Sequence, residues 1–400
     1  MLGLGVVGRG TAELLTENAG VIAASLGEEV RLQYILTRRE MPESPYASLL
    51  VQSIDPILAD PDIVAVAEVL GGLHPAYEYT KACLAAGKSV VSANKELVAA
   101  YGAELLALAR ERGIFYLFEA SCGGAIPLIS PLVTDLAANE ITGISGILNG
   151  TTNYILTRML RAGATFEGAL TEAQEKGYAE RNPAADIDGL DARRKICILT
   201  ACVTGILPDE GRVHTEGISG IRPGDVRTAE KNGYTVKLLG RMVRDAEGTF
   251  VMTAPFLVPL SSPLAPVEDV RNGALVQCNF AGEILLSGRG AGGRPTASAV
   301  AADLLAVLRG DAKRQVWTPG GEDFPTDFTR YRSRHYLALA GVERHTVAEL
   351  WRQAEFLSRD GEELVLLTPV RSERELGDDL AQLTARGARV QAHLRVCDTI

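Results

Sequence analysis

Residues 176–195, KGYAERNPAADIDGLDARRK, gather Lys176, Glu180, Asp186, Asp188, Asp191 and Lys195 around a proline, a glycine and a tyrosine. So many ionisable groups in one connection suit proton transfer and the holding of a charged small molecule. Asn182-Pro183 stops a preceding helix, because proline lacks an N–H and restricts the residue before it. Asp188-Gly189 reads as a turn that opens a new helix, with Asp191 and Lys195 four residues apart on one face of it. Taken alone, such a pair is ordinarily a solvated ion pair contributing about 0.3–0.5 kcal/mol. Here Ile196-Cys197-Ile198-Leu199-Thr200-Ala201-Cys202-Val203 follows at once, and a run apolar on every side predicts a buried helix. A lysine at the head of such a helix is a candidate acid or base.

The elements that must position this stretch begin at the N-terminus. Gly3, Gly5 and Gly8 in GLGVVGRG form a G-x-G-x-x-G followed by a helical pattern, the arrangement that lets backbone approach a pyrophosphate at a helix N-terminus. Only Met1 and Leu2 precede it, so the first strand is expected to be truncated and the natural start to lie upstream. A strand at 30–36 ends in Thr37-Arg38-Arg39; an acid there would bind the ribose of NAD, whereas arginine suits the 2′-phosphate of NADP. Strands at 63–70, 89–92 and 115–118 alternate with helices at 76–86 and 101–112, which predicts a Rossmann-type, doubly wound parallel sheet of the α/β class. Strand 63–70 closes on Gly71-Gly72, and Ser92-Ala93-Asn94-Lys95 sets a lysine at the carboxyl edge, where such sheets bind ligands. In Glu119-Ala120-Ser121-Cys122-Gly123-Gly124-Ala125-Ile126-Pro127 the glycines free carbonyl oxygens for a hard cation. No histidine lies near Cys122 in sequence, so it reads as a packed thiol rather than a nucleophile.

A strand at 141–148 runs through Asn149-Gly150-Thr151-Thr152-Asn153 into a helix at 154–161, and a helix at 165–176 leads back to the charged stretch. Strands at 237–243, 251–258 and 274–280 are expected to complete a second, mixed sheet. The glycine-rich loop 287–296 then delivers a helix at 297–308. Residues 319–331 read as a linker, and the remainder as β-α-β-α-β, enough for a small α+β module. The net charge of −10 argues against nucleic acid as a partner. No apolar run reaches the roughly 20 residues of a membrane span, and the N-terminus lacks a signal-peptide layout; neither a membrane nor export is expected, and the cytoplasm is. The six cysteines are scattered, without a CxxC, and suggest neither zinc nor a disulfide framework.

Several of these stretches, in order, resemble the homoserine dehydrogenase family: GLGVVGRG, SANKELVA, FEASCGGAIPLI, GILNGTTNYIL, GYAERNPAADIDGLDARRK and GRGAGGRPTASAVAADLL. The likeness spans about residues 1–310, and GILNGTTNYIL with the charged stretch is its most specific part. It implies reversible reduction of L-aspartate 4-semialdehyde to L-homoserine with NADP or NAD, on the route to threonine, methionine and isoleucine. It also implies that Glu180 and Asp186 hold the substrate, that Asp191 places it beside Lys195, and that Lys195 and Lys95 are the acid/base lysines, Lys195 being taken as the proton donor. Gly3, Gly5, Val6, Val7, Gly8 and Arg38 would bind the cofactor, with Gly71, Ser92 and Lys95 flanking the nicotinamide and Gly290 beyond. Main-chain oxygens of Glu119, Cys122, Gly124 and Ile126 would bind a sodium ion, and a homodimer is implied. On this division residues 1–125 bind NAD(P), 126–310 form the catalytic and dimerisation domain, with helix 297–308 returning to the nucleotide domain, 311–332 link, and 333–400 resemble an ACT regulatory domain.

Departures from the pattern are Asn182 where an acid is common, Arg289 where Pro or Gln is usual, and Arg344-His345-Thr346-Val347 in place of the Pro-Gly ligand loop, with one strand of the module missing. Two other functions fit parts of the chain: a phosphorylating semialdehyde dehydrogenase using Cys122, and a non-enzymatic amino-acid sensor.

Overall fold

The computed structural model describes residues 1–360 and 363–397, so positions 361–362 and 398–400 of the C-terminal module lie outside the described residues. The chain divides into two compact units, one made of Met1–Glu140, Cys197–Leu207 and Gly288–Pro319, the other of Ile141–Ile196, Pro208–Ser287 and Gly320–Ile400.

The first unit holds a parallel sheet. Ala65–Glu68, Ser89–Ser92 and Tyr116–Leu117 lie side by side, and Ile35–Leu36 pairs with Leu50–Val51. Leu2 alone bridges the two halves, facing Leu36 on one side and Glu68 on the other. Counted in chain order with Leu2 first, the strands run 3-2-1-4-5-6, the doubly wound order that places a ligand crevice at the switch point. The strand expected at 30–36 shrinks to Ile35–Leu36, because only those two residues find ladder partners. The helix expected at 101–112 starts at Lys95, since the Asn94 side chain accepts from the Leu97 N–H and caps it one turn and more upstream. Helices Val6–Glu17 and Gly293–Arg309 pack so closely that a Cβ on Gly10 would stand 2.7 Å from the Gly293 carbonyl oxygen. Leu4, Ala12, Ile35, Ala67, Val91 and Val300 form the core beneath them.

The second unit is built on a mixed ten-stranded sheet. Its order is Gly282–Arg289, Arg271–Cys278, Ile141–Ile147, Tyr234–Asp245, Gly248–Pro259, Arg389–Val396, His335–Ala340, Glu363–Leu367 and Glu355–Asp360, with His214–Thr215 also pairing with Gly248–Pro259. The strand Gly282–Arg289 corrects the sequence reading, which assigned no element to 281–286 and began a glycine-rich loop at Ser287; as an edge strand it is half exposed along its length and carries no clear apolar alternation. The C-terminal segment also differs from expectation. The first helix of the expected β-α-β-α-β, read over 346–357, is a short one, Arg344–Leu350, followed by the strand Glu355–Asp360, which pairs antiparallel with Glu363–Leu367. The strand taken as missing is therefore present. Its identity comes from hairpin pairing, whereas the spacing of Val347, Leu350, Trp351 and Ala354 imitates a continued helix. The segment now reads β-α-β-β-α-β, a split βαβ arrangement, and its last strand pairs in parallel with Gly248–Pro259 through Phe256 and Leu257. No helix among the described residues is long and apolar enough to cross a membrane.

Candidate active site

In the second unit the charged stretch folds around two helix starts. Gly150–Ala162 begins directly after the strand Ile141–Ile147, and Asn149 caps it by accepting from the Thr152 N–H. The same asparagine donates its amide to Asp186 Oδ1 at 2.7 Å and to Asp191 Oδ2 at 2.9 Å. Lys195 Nζ donates to Asp191 Oδ2 and to the Leu148 carbonyl oxygen, both at 2.7 Å. Lys195 is 8 % exposed and Asp191 5 %. The ion pair that spacing alone would leave in solvent is thus buried, because the helix Leu190–Thr204 seats Ile196, Cys197, Ile198 and Leu199 in the core. Buried charges of this kind persist when further hydrogen bonds satisfy them, as Leu148 and Asn149 do here. Burial pushes the Asp186 carboxyl above the usual range, against the opposing pull of its Asn149 hydrogen bond.

Of Lys176, Glu180, Asp186, Asp188, Asp191 and Lys195, three come together in this way and three do not. Glu180 and Asp188 are exposed, and Lys176 turns to its own helix, pairing with Glu172 at 3.0 Å. Gly189, with φ of +81°, makes the turn that separates the helix bearing Asp186 from that bearing Asp191 and Lys195.

In the first unit the glycine loop has the geometry a dinucleotide needs. Gly3 has φ of +103°, and a Cβ on Gly8 would collide with the Gly3 carbonyl oxygen. Gly5, the cap residue of helix Val6–Glu17, faces open space. Glu68 knits the next two strand ends together: its Oε1 accepts from the Leu70 N–H at 2.8 Å and its Oε2 from the Ser92 hydroxyl at 2.6 Å. Ser92 Oγ in turn accepts from the Asn94 N–H, while the Asn94 amide donates to the Gly72 carbonyl. Gly71 and Lys95 are thereby fixed on neighbouring strand ends. Burial raises the Glu68 pKa, with the hydrogen bonds opposing it. Arg38 is exposed, and a cleft of about 530 Å³ is lined by Arg9, Glu13, Met41, Ser44 and Tyr46.

Gly123 and Gly124 both adopt positive φ, and Gly124 lies against Gly290 so closely that a Cβ there would stand 2.5 Å from the Gly290 carbonyl carbon. The Glu119 side chain is occupied separately, accepting the N–H groups of Leu128, Ile129 and Ser130. Among the described residues no group of three or more His, Cys, Asp or Glu could hold a metal. Cys122 is 1 % exposed, which removes it from contact with any substrate in solution.

The sequence profile described as "Homoserine dehydrogenase" matches residues 127–305, and that of "Homoserine dehydrogenase, NAD binding domain" matches 3–119. The homoserine dehydrogenase of Synechocystis is 41 % identical over 315 residues, covering 77 % of this chain and 72 % of its own. The chain belongs to the homoserine dehydrogenase family. The crystal structure of a homoserine dehydrogenase from Thiobacillus denitrificans superimposes with a TM-score of 0.92 at 37 % identity, covering 99 % of this chain and 97 % of that one. A hyperthermophilic archaeal homoserine dehydrogenase in complex with NADPH gives 0.68 at 28 % identity, covering 78 % and 98 %. This homoserine dehydrogenase is an NAD(P)-dependent oxidoreductase of amino-acid biosynthesis that interconverts L-aspartate 4-semialdehyde and L-homoserine. The thioacyl and sensor readings fall with that result. Two residues of the site escaped the sequence reading, Asn149 and Glu68. Asn149 carried a usable signal, an asparagine at a strand-to-helix junction; Glu68 carried none, since a glutamate inside an apolar strand shows its purpose only through the groups that fold against it.

Proposed function

We propose that the cluster around Lys195 is the substrate side of this dehydrogenase. The observation that carries the reading is the buried Lys195–Asp191 pair, tied through Asn149 to Asp186. NAD(P)H, when bound, supplies the hydride that converts the aldehyde carbon to an alkoxide. Lys195 Nζ stabilises that developing charge and gives it a proton; in the oxidation of homoserine it takes the hydroxyl proton back. Asp191 holds the ammonium in one orientation, and Asn149 keeps both aspartates on the same side of it. Asp186 and Glu180 offer carboxylates to the ammonium of the amino-acid substrate. Lys95, at the start of its helix in the nucleotide-binding unit, serves as the second acid/base lysine.

NADP is the cofactor this reading favours, supported by Arg38 after strand Ile35–Leu36 and by the NADPH complex of the archaeal relative. Gly3, Gly5, Val6, Val7 and Gly8 would carry its pyrophosphate, with Gly71, Ser92 and Gly290 along its length. Carbonyl oxygens of Glu119, Cys122, Gly124 and Ile126 would bind sodium, supported by the left-handed turn at Gly123 and Gly124. A homodimer is supported by the edge strand Gly282–Arg289 and by Phe280, 90 % exposed beside it. Six free cysteines support a cytoplasmic location. Residues 1–125, 126–310 and 333–400 would divide the work into cofactor binding, catalysis with dimerisation, and ACT-like regulation. The ratio of kcat/KM with NADPH and NADH, a sodium titration and sedimentation measure the first three of these.

The decisive experiment is Lys195→Ala. Homoserine oxidation should lose about three orders of magnitude in kcat/KM while NADPH still binds, and a loss below about tenfold, or ~1.4 kcal/mol, would reject the assigned role.

A further inference from the structure

Arg395, in the last strand of the chain, is 1 % exposed. Its guanidinium makes two forked pairs. Nε and Nη2 donate to Glu373 Oε1 and Oε2 at 2.6 and 2.9 Å, and Nη1 and Nη2 donate to Glu216 Oε2 and Oε1, each at 2.9 Å. His214 Nε2 stands 2.6 Å from Glu216 Oε1, and its ring stacks on Phe328 at 3.7 Å. A guanidinium shared between two carboxylates at such low exposure is costly to desolvate and holds only when its geometry is met in full. What this arrangement fixes is Glu216, which lies just beyond the strand His214–Thr215 and has its own N–H bonded to the Thr253 carbonyl.

The backbone that Glu216 begins is pressed against the charged stretch. The Ile218 N–H donates to the Ile187 carbonyl at 2.9 Å, and a Cβ on Gly217 would collide with that same carbonyl oxygen. A Cβ on Gly189 would meet the Glu216 carbonyl oxygen at 3.1 Å. Ile187 closes the helix that carries Asp186, and Gly189 precedes the helix that carries Asp191 and Lys195. Segment 216–218 therefore forms the backing of the turn between the two halves of the substrate side.

We propose that Arg395 and Glu216 are positioning residues for homoserine: the last strand of the chain, through this forked pair, holds segment 216–218 against the Ile187–Gly189 turn and so sets Asp186 relative to Asp191 and Lys195. The inference rests on the substrate-side assignment above. It makes the C-terminal segment part of the catalytic apparatus whether or not it binds a regulator. Loss of the guanidinium leaves Glu216 and Glu373 facing one another as like charges, which drives Glu216 outward and releases the backing.

The test compares the full chain with Arg395→Met and Glu216→Gln. KM for homoserine should rise about tenfold or more, as expected when a reacting group is misplaced by a fraction of an ångström to an ångström. The dissociation constant of NADPH, read by fluorescence titration, should stay within twofold, and hydrogen exchange across residues 184–191 should quicken. A folded variant with unchanged homoserine KM and unchanged exchange overturns the proposal. So does a variant that loses NADPH and homoserine affinity together, because a general loss of structure would do that. Should Arg395→Met fail to fold, the isosteric Glu216→Gln decides by the same criteria. Homoserine oxidation by the unaltered chain, with the Lys195→Ala result, tests the underlying assignment separately.

Discussion

Lys237 is the clearest case of a residue whose environment, rather than its type, sets its behaviour. It sits in strand Tyr234–Asp245 at 2 % exposure, with its ammonium donating to the Val267 carbonyl at 2.6 Å and to Asn153 Oδ1 at 3.2 Å. Burial lowers its pKa to about 8. The sign of the consequence follows from proton counting. Between pH 8 and about 10.5 the folded chain has lost this proton while the unfolded chain keeps it, so the unfolded state binds more protons and stability rises with pH across that window. Below pH 8 both states are protonated and the full penalty of the buried charge, about 3 kcal/mol, is present. Urea unfolding of the wild type and of Lys237→Met, at pH 7.5 and pH 10, should show the wild type gaining on the variant by that order. Parallel stability at the two pH values would remove Lys237 as the cause. No pattern in YTVKLLGRMV distinguishes this lysine from one at a surface, because the groups that bury it come from residues 153 and 267.

At the scale of elements, Gly5 and Gly8 of the glycine loop separate binding from packing. A Cβ at Gly5 meets nothing in the protein, whereas at Gly8 it meets the Gly3 carbonyl and the Val69 side chain. Gly5→Ala should therefore weaken NADPH binding and leave the melting temperature near that of the wild type, since the methyl enters only the space a pyrophosphate needs. Gly8→Ala should lower both, by about 1–3 kcal/mol in stability, as overpacking against backbone does. Fluorescence titration and thermal unfolding check the split, and equal melting losses in the two variants would contradict it. The helix starts teach the same lesson about legibility. Asn94 and Asn149 are cap residues by type, and their positions after strand-like runs could be read from the chain. That Asn149 also joins two aspartates to a lysine could not, because its partners lie 37 and 42 residues away.

At the scale of the whole molecule, the final segment is a β-α-β-β-α-β unit whose last strand belongs to the ten-stranded sheet of the second unit. If it is regulatory, threonine at millimolar concentration should inhibit homoserine oxidation, and calorimetry should find that homoserine weakens threonine binding by the factor by which threonine weakens homoserine binding. Full activity in millimolar threonine would reject the regulatory role and leave the segment with the positioning role of Arg395. The sequence by itself determined the family, through motifs that resemble it, and also the parallel first sheet, the mixed second sheet and the pairing of Asp191 with Lys195, because these last three rest on local spacing, turn chemistry and runs of apolar residues. Only the tertiary structure decided that this pair is buried, that Glu68 ties together two strand ends of the first unit while Asn149 ties Asp186 to Asp191 in the second, that Glu355–Asp360 is a strand, and that Arg395 reaches Glu216. Each of those depends on a partner far along the chain, and long-range hydrogen bonds have no signature in the residues that come to share them.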